Sequence, residues 1–338
     1  MRRLTGSLLV LLCLPLLAAA GPATKPRQKL YVTNSAGDDI TVIDVATNKP
    51  VGRIEVGPHP HGIAAPDAQD MVYVTVEGSN PGELVAIDPL TDRVVRRMPV
   101  GPAPNQLAVT PDGRLAYVPC GDGSWVVVDL AKFRVVTRVV TGGRPHNTAC
   151  SADGKYMFLA PMGPVKKVVV VETATHRPVG AIAFSDVVRP IAISHDGLRL
   201  YANVDNLIGF EVADVPARKR IARIADELTA AERKVPSRSH GLAIRPDQKE
   251  LWECDVEHGV VHVFDLTGPR PRQVATVAVG NPVYWLTFRP DGKVCYVSTH
   301  GGGDVAAVDT ETRQVVARIP VGKDPKRLLV VTPPDRKQ

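Results

Sequence analysis

The chain has 338 residues, of which 44% are hydrophobic, 22% are charged and 5% are aromatic, and its formal net charge is +6. Because the lysines and arginines are scattered along the sequence and aromatic residues are few, the composition argues against a nucleic-acid partner. After the first 20 residues no apolar stretch is long enough to cross a bilayer, which argues against a membrane span in the mature chain.

The beginning of the chain has the pattern of a secretory signal peptide. Two arginines precede the apolar run LLVLLCLPLLAAA, and this run ends at Ala18 and Ala20 with the small-residue spacing of a cleavage site. We therefore expect residues 1–20 to be removed and the mature protein to be periplasmic or secreted. Residues 21–29 contain Pro and Lys and are predicted to form a short disordered lead.

An aromatic residue recurs at nearly constant spacing through the rest of the chain. The positions are Tyr31, Tyr73, Tyr117, Phe158, Tyr201, Trp252 and Tyr296. The intervals between them are 42, 44, 41, 43, 51 and 44 residues, and a period of this size is typical of a repeat architecture.

Each repeat can be divided into four short strands. In the third repeat, residues 107–110 precede the turn PDG and residues 115–119 follow it, which is the pattern of a hairpin. Residues 125–129 are nearly all β-branched, as in a buried strand, and the segment RVVTRVV is a more polar outer strand. Four strands in each of seven repeats predict an all-β, seven-bladed β-propeller over residues 30–334, with a tail at 335–338.

An acidic residue is predicted to close the third strand of every repeat. These residues are Asp44, Asp88, Asp129, Glu172, Glu211, Asp265 and Asp309. Several of them have a Thr three residues later, so the carboxylate is expected to cap the following turn by accepting backbone N–H bonds.

The two ends of the chain complement each other. The first repeat begins at Tyr31, in the middle of a blade, and lacks that blade's first strand. The missing strand occurs at the other end of the chain, as RLLVVTPP within residues 326–334. We therefore predict a ring closed by pairing of the N-terminal and C-terminal strands, which leaves no sheet edge open.

Short motifs within the repeats resemble those of a known family. YVTN at residues 31–34, PDG at 111–113 and 290–292, and VID at 42–44 are similar to motifs of the YVTN-repeat β-propellers. Relatives of that family include the haem d1 propeller of nitrite reductase and the heavy subunit of methylamine dehydrogenase. The resemblance implies the propeller fold, but it does not select an activity, because the family hosts redox enzymes as well as binding proteins.

The histidines are concentrated in loops that a propeller places on one face. Three of them, His61, His146 and His240, occupy equivalent positions before the first strand of a blade, in the loops PHPHGIA, RPHNTA and RSHGLA. The equivalent positions of the other repeats hold Asn105, Arg189, Tyr284 and Lys326. The loops of this face also contain His59, His258 and His300. We expect these side chains to meet at the mouth of the central channel.

Three interpretations of this histidine-lined face remain open. The histidines can be structural elements of the repeat that cap backbone carbonyls. They can bind a transition metal, in which case the ligands come from His59, His61, His146, His240, His258 and His300. The face can also hold an anionic ligand or a haem-like cofactor, for which Arg189, Tyr284 and Lys326 are the candidate contacts.

The fifth repeat contains an insertion between Ile221 and Ser239. Helix-forming residues dominate 226–234, so a short helix is predicted on the histidine face, as a lid, a docking element or a tolerated insertion. The nearby segment WECDVEHG places five ionisable side chains close together: Glu253, Cys254, Asp255, Glu257 and His258. This group could bind a cation or provide acid–base chemistry, and the alternative is a solvated loop.

These observations favour an exported propeller that acts as a binding module for a small ligand or a periplasmic protein partner. Two enzymatic alternatives remain. One is a periplasmic redox enzyme that depends on copper or is associated with haem. The other is a lactonase-like hydrolase, because the segment SRSHGLAIRPD around His240 is similar to a motif of lactonase-family propellers. The sequence itself identifies no cofactor.

Overall fold

The computed structural model describes residues 27–280 and 282–335, and these form 28 β-strands and one short 3-10 helix. The predicted signal peptide at 1–20, most of the lead at 21–29 and most of the tail at 335–338 lie outside the described residues. Among the described residues, no helix has the length and apolar character needed to cross a membrane.

The strands form seven separate antiparallel sheets, each with four strands. Blade 1 contains β1 (Lys29–Asn34), β2 (Asp39–Asp44), β3 (Lys49–Glu55) and, from the other end of the chain, β28 (Pro325–Val331). Blade 2 contains β4 (Pro60–Ala64), β5 (Val72–Val76), β6 (Gly82–Asp88) and β7 (Arg93–Gly101). Blade 3 contains β8 (Ala108–Val109), β9 (Leu115–Pro119), β10 (Ser124–Asp129) and β11 (Arg134–Val140). Blade 4 contains β12 (Arg144–Cys150), β13 (Tyr156–Met162), β14 (Lys167–Glu172) and β15 (Arg177–Ala183).

The remaining three blades follow the same order of strands. Blade 5 contains β16 (Val188–Ile193), β17 (Arg199–Val204), β18 (Gly209–Asp214) and β19 (Lys219–Ala225). Blade 6 contains β20 (Ser239–Ile244), β21 (Glu250–Asp255), β22 (Val260–Asp265) and β23 (Arg272–Ala278). Blade 7 contains β24 (Val283–Phe288), β25 (Val294–Thr299), β26 (Asp304–Asp309) and β27 (Gln314–Pro320). The predicted seven-bladed propeller is therefore confirmed.

Burial explains the order of strands within a blade. The second and third strands are almost entirely buried, as in β1 and β2, because they are covered on both faces by neighbouring blades. The fourth strand is mostly exposed, as in β3, and this accounts for its polar sequence. The recurring aromatic residue lies in the second strand of each blade and is buried at all seven positions. The hydrophobic core therefore consists of layers between adjacent blades.

The acidic residues that end the third strands cap the next turn, as predicted. Asp44 Oδ1 accepts hydrogen bonds from the Thr47 backbone N–H at 2.9 Å and from its hydroxyl at 3.0 Å. The assignment of Glu211 to this role is wrong. The third strand of blade 5 continues to Asp214, which caps the turn through Ala217, whereas Glu211 is buried within the strand and pairs with Arg220 and Arg223.

The C-terminal strand closes the ring as predicted. Strand β28 pairs with β1 in antiparallel orientation, with Lys29 opposite Val331 and Val32 opposite Leu328. The side chain of Asn34 from the YVTN motif adds a further link, because its Oδ1 accepts a hydrogen bond from the Gly322 backbone N–H at 3.1 Å. The first and last segments of the chain are therefore joined through backbone and side-chain hydrogen bonds.

The insertion of the fifth repeat contains less helix than predicted. It forms a single 3-10 turn at Glu232–Lys234, with no buried residue. A longer helix would have no apolar face to bury, and helices this short are marginal without tertiary contacts. The insertion connects β19 of blade 5 to β20 of blade 6, next to the histidine face.

Candidate binding site at the channel mouth

The innermost strands of the blades bring residues from far apart in the chain to one cavity of about 450 Å³. The side chains that line it include His61, Asn105, His146, Arg189, His240 and Tyr284. Six of the seven residues predicted to occupy equivalent positions thus meet as expected. Glu77, Arg144, Met162 and Arg238 also line the cavity. Its volume is within the range typical of small-molecule sites.

A break in strand register at the start of the innermost strands turns these residues toward the channel. In β4 the register shifts between Pro60 and Ile63, and in β20 it shifts between Ser239 and Leu242. A β-bulge redirects side chains that simple alternation would send to opposite faces. Two successive residues of an innermost strand can therefore both be placed near the channel.

The hydroxyl group of the YVTN motif fixes the backbone of these residues. Thr33 Oγ1 donates to the His61 carbonyl at 3.1 Å, and Thr75 Oγ1 donates to the Asn105 carbonyl at 2.9 Å. The equivalent Ser298 donates to the Lys326 carbonyl at 2.9 Å. Each hydroxyl thus links its own blade to the innermost strand of the next blade. The same link recurs at Thr33, Thr75 and Ser298, which gives this position of the repeat a structural role that the sequence did not reveal.

The glycine after His240 allows adjacent blades to approach each other. Gly241 has a φ of +101°, and a Cβ atom there would lie 2.5 Å from the Tyr284 carbonyl oxygen. Only glycine fits such a contact without displacing the neighbouring strand. The close approach brings the His240 and Tyr284 rings into a stack with 4.1 Å between their centroids and an angle of 23°.

His61 and Glu77 form a hydrogen-bonded pair at the cavity wall. The His61 Nδ1 atom lies 2.7 Å from Glu77 Oε2, while the buried Nε2 atom has no hydrogen-bond partner. Burial lowers the pKa of His61, and the charge of Arg327 lowers it further, against the opposing effect of Glu77. The hydrogen bond with His61 lowers the pKa of Glu77. This arrangement orients an uncharged imidazole beside a carboxylate.

Arg327, which the sequence analysis did not single out, is fully buried next to these histidines. Its guanidinium carbon lies 3.5 Å from the centroid of the Trp285 ring, and all three of its side-chain nitrogens lack a hydrogen-bond partner. Burial lowers the pKa of Arg327 to about 10, so the group remains charged at neutral pH. An unpaired buried charge is costly, by several kcal/mol in typical proteins.

After burial, the charge of Arg327 has the largest effect on the pKa values of His146 and His240. Burial lowers the pKa of His146 and of His240 well below the usual value, and in both cases the largest further effect comes from the Arg327 charge. The Nδ1 atom of His146 is buried without a hydrogen-bond partner. The buried imidazoles of the cavity wall are therefore exposed to the charge of Arg327, which does not itself line the cavity.

Other cationic side chains surround the cavity. Arg189 forms a two-point ion pair with Asp205, with N···O distances of 2.5 and 3.1 Å. Arg144 lies 3.6 Å from the Met162 sulfur and, within the part of the chain described, forms no ion pair with a carboxylate. Lys326 lies 5.9 Å from the centroid of the Tyr284 ring and 3.8 Å from Asp324. Lys326 is therefore at the rim and not in the cavity wall.

The other three predicted histidines lie in different places. His59 lines a separate groove between blades 1 and 7, whereas His300 stacks on Tyr284 at 5.2 Å and lies 2.5 Å from Asp324. His258 contacts Asp255 at 2.6 Å and two backbone carbonyls of the insertion. Across residues 27–280 and 282–335, no three of the six histidines bring their ring nitrogens within 4.8 Å of one another. Metal binding by this set stays a prediction that the arrangement does not favour.

Comparison with known proteins supports the family suggested by the motifs. Residues 105–189 match the family described as the cytochrome D1 heme domain, and this segment includes Arg144, His146 and Arg189 of the cavity. No match is found among curated protein sequences. Over these residues the chain is similar to the cytochrome d1 propellers, and the ring of seven four-stranded blades agrees with that similarity.

Solved structures show the same fold at low sequence identity. A structure described as Kuenenia stuttgartiensis hydrazine synthase has a TM-score of 0.75 and 20% identity, covering 88% of this chain and 99% of that one. The periplasmic gluconolactonase PpgL of Pseudomonas aeruginosa also has a TM-score of 0.75 and 20% identity, covering 90% and 99%. Dihydro-heme d1 dehydrogenase NirN, in complex with DHE, has a TM-score of 0.64 and 18% identity, covering 86% and 63%. At these identities the likeness establishes the fold alone.

Proposed function

We propose that this protein binds a small carboxylated ligand at the channel mouth. The observation that carries the proposal is Arg327, whose fully buried guanidinium has three nitrogens without a hydrogen-bond partner. A carboxylate that enters the channel between the histidines would pair with this group through charge-assisted hydrogen bonds. The neighbouring Arg144 and Arg189 would attract the same ligand to the cavity.

Two sources of such a carboxylate are consistent with the cavity. A sugar acid of the kind that a gluconolactonase produces would offer one carboxylate and several hydroxyl groups. A haem d1-like tetrapyrrole would offer several carboxylates and an iron that needs a nitrogen ligand. The donor set fits both, because His61 and His146 each have a buried ring nitrogen without a partner and Arg144 and Arg189 are cationic. A bound tetrapyrrole would supply redox chemistry through its iron.

Titration of the purified full chain distinguishes these sources. Gluconate binding would be measured by calorimetry, and haemin binding by calorimetry together with an absorbance spectrum. We expect Arg327→Met to weaken binding of the relevant probe roughly 10–100-fold, because a charge-assisted hydrogen bond contributes about 1.5–3 kcal/mol. Arg134→Gln, on the exposed outer strand β11, is the matched control and should leave affinity unchanged.

The same variant has a second expected effect. Arg327→Met removes an unpaired buried charge while retaining an unbranched apolar stem, so the ligand-free variant should be at least as stable as the natural chain. Thermal unfolding without ligand measures this. Equal affinity of Arg327→Met and the natural chain for every probe, or binding of none by the natural chain, would contradict the proposal.

Hydrolysis of a lactone is a second candidate function, favoured by the pair of His61 and Glu77. The Nε2 atom of a neutral His61 would take a proton from water as the water attacks the lactone carbonyl. The ring C–O bond would then break, and the proton would return to the departing alkoxide. Arg327 would stabilise the charge that develops on the carbonyl oxygen. His61 is better placed for this role than His240, because the His240 ring is stacked on Tyr284.

We expect His61→Gln to lower the rate of lactone hydrolysis about 10²–10⁴-fold. The rate would be followed by base consumption at constant pH, after subtraction of spontaneous hydrolysis. His195→Gln, in an exposed turn after β16, is the control. A rate equal to the spontaneous one with a panel of simple lactones would rule out this activity and leave the binding function.

We further propose that the protein acts outside the cytoplasm, on the basis of the signal-like sequence at 1–20. Fractionation of cells that express the full chain, with mass measurement of its N-terminus, tests this. We expect a periplasmic or secreted form that begins after Ala20. A cytoplasmic form that retains Met1–Ala20 would contradict the proposal.

A further inference from the structure

A second cluster of ionisable side chains lies away from the channel, between blades 5 and 6. Asp226 immediately follows β19 at the start of the insertion, Glu253 and Asp255 lie on β21, and His262 lies on β22. The side chains of Asp226, Asp255 and His262 are fully buried, and Glu253 is fully buried as well. One ligand atom from each of the first three lies within 4.8 Å of the other two.

The distances within the cluster suit a small metal ion. The His262 Nε2 atom lies 3.4 Å from Asp226 Oδ2 and also 3.4 Å from Asp255 Oδ2. This separation is long for a hydrogen bond between an imidazole and a carboxylate. It equals the edge of a tetrahedron whose centre is about 2.0–2.1 Å from each corner, the usual distance from zinc to nitrogen and oxygen ligands.

Unpartnered oxygen atoms point to a missing positive charge. Neither carboxylate oxygen of Asp226 has a hydrogen-bond partner, although the side chain is fully buried. Glu253 Oε1 accepts a hydrogen bond from Asn203 Nδ2 at 3.2 Å, whereas its Oε2 atom has no partner. Among the described residues, no Lys or Arg forms an ion pair with any of the three carboxylates. His258, whose two ring nitrogens both contact acceptors, places a positive charge beside Asp255 alone, so the burial of Asp226 and Glu253 in the same cluster is unfavourable.

Surrounding groups hold the candidate ligands in place. Asp255 Oδ2 lies 2.6 Å from His258 Nδ1, and its other oxygen accepts a hydrogen bond from Ser237. The His262 Nδ1 atom lies 3.0 Å from Thr276 Oγ1, which can accept a hydrogen bond from Nδ1–H when Nε2 binds a metal. Such outer contacts orient metal ligands and fix the histidine tautomer.

We propose that Asp226, Asp255 and His262 bind one divalent transition-metal ion of the zinc class. A mixed set of carboxylates and an imidazole suits zinc or manganese and does not suit calcium, which prefers oxygen ligands alone. This site is independent of the proposed ligand site at the channel mouth.

The metal would attach the insertion to the propeller. Asp226 begins the insertion, and the His258 Nε2 atom already donates toward its carbonyls at Glu232 and Val235, at 2.9 and 3.1 Å. A metal at Asp226 would therefore join the start of the insertion to blade 6. The exposed Arg233 and Lys234 in its 3-10 turn provide cleavage sites that report whether the segment is held.

The test uses the full purified chain after removal of metals with a chelator. Titration with Zn²⁺, Mn²⁺ and Ca²⁺ would be followed by calorimetry and by metal analysis after dialysis. We expect one equivalent of Zn²⁺ or Mn²⁺ to bind, and trypsin cleavage after Arg233 or Lys234 to become at least tenfold slower with metal. Binding of Ca²⁺ with no uptake of Zn²⁺ or Mn²⁺ would overturn the assignment of His262 as a ligand.

Two variants and a control separate a metal site from a buried acid cluster. Asp226→Asn and His262→Gln should each reduce Zn²⁺ affinity at least tenfold. Asp38→Asn belongs to another acidic group, with Asp39 and Glu55, and should leave the tight equivalent unchanged. Without metal, Asp226→Asn should unfold at the same or a higher temperature than the natural chain, whereas with Zn²⁺ the order should reverse.

The change caused by Zn²⁺ is compared within each protein, so the test remains decisive even if Asp226→Asn is less stable than the natural chain. A metal-binding site makes the natural chain gain more from Zn²⁺ than Asp226→Asn does. The proposed site is wrong if Zn²⁺ changes the unfolding temperatures of the natural chain and of Asp226→Asn equally. It is also wrong if Asp38→Asn loses the bound Zn²⁺ while Asp226→Asn and His262→Gln retain it.

Discussion

Three buried histidines share one electrostatic environment, and this has a consequence for stability. Burial, followed by the Arg327 charge, lowers the pKa of His146 and His240, and both effects also act on His61. A histidine whose pKa is lower in the folded state stabilises the fold above its unfolded pKa of about 6.5. That stability is lost as the pH falls from this value through the folded pKa, because the unfolded chain takes up the protons first.

We therefore expect the free energy of unfolding to decrease as the pH falls from 7 to 5. The expected slope is on the order of 1 kcal/mol per histidine for each pH unit. Denaturant unfolding at a series of pH values measures it. His146→Gln should flatten the curve, and His195→Gln, in an exposed turn, should not. The difference between the natural and His146→Gln curves isolates His146 from Asp226, Glu253 and His258, whose raised pKa values act in the opposite direction. Identical curves for His146→Gln and the natural chain would contradict this account.

For individual residues, the sequence predicted most of the side chains at the channel mouth but missed the buried charge of Arg327. Equivalent repeat positions identified His61, His146 and His240, because the repeat fixes where each innermost strand begins. The same alignment selected Lys326, which lies at the rim, and overlooked Arg327, the next residue. Register shifts at the starts of innermost strands make strict alternation fail there, and one sequence cannot reveal such a shift.

Among the strands, β28 is the one that completes blade 1 and closes the ring. It is the innermost strand of blade 1 and contributes Leu328, Val330 and Val331 to the buried core. Its removal would expose one side of β1 and the apolar surface between neighbouring blades. The sequence predicted this strand correctly, since the first repeat lacked a partner that the last segment could supply.

A chain that ends at Asp324 should not form a stable ring. Loss of β28 removes the hydrogen bonds with β1 and the burial of several aliphatic side chains, each of which contributes about 1.5–3 kcal/mol. We expect the truncated chain to aggregate or to unfold at least 10 °C lower in thermal denaturation. Removal of residues 336–338 alone is the control, because β28 ends at Val331. A truncated chain with the natural unfolding temperature would show that closure by β28 is dispensable.

The insertion illustrates why loops are harder to predict than strands. The composition of 226–234 favours a helix, yet only Glu232–Lys234 form a turn of 3-10 helix. Its conformation is set by contacts distant in sequence, such as the pairing of Ser237 with Asp255 and the contact of His258 with the Val235 carbonyl. Local propensity cannot supply that information.

For the whole molecule, the pairing of the two ends implies that the fold depends more on the order of the blades than on the position at which the chain begins. Residues 29 and 331 lie opposite each other in adjacent strands, so a short linker can join the two ends. The insertion offers an exposed place for new ends, between Ala230 and Ala231. Circular permutation succeeds at exposed sites with little buried backbone.

We predict that a circular permutant opened between Ala230 and Ala231, with a Gly/Ser linker from residue 335 to residue 27, folds into the same propeller. Its circular dichroism spectrum should match that of the natural chain, and its unfolding temperature should differ by only a few degrees. A permutant opened between Val127 and Val128, in the buried strand β10, is the control and should fail to fold. Equal behaviour of the two permutants would contradict this account of ring closure.

The strand that closes the ring also carries Lys326 and Arg327. Since this strand follows the strands of all the other blades in the sequence, both cations join the channel mouth only when the ring closes. A molecule whose ring is open would thus lack Arg327, the proposed contact for an anionic ligand, at its channel mouth. Under the proposed function, ligand binding would therefore require a closed ring.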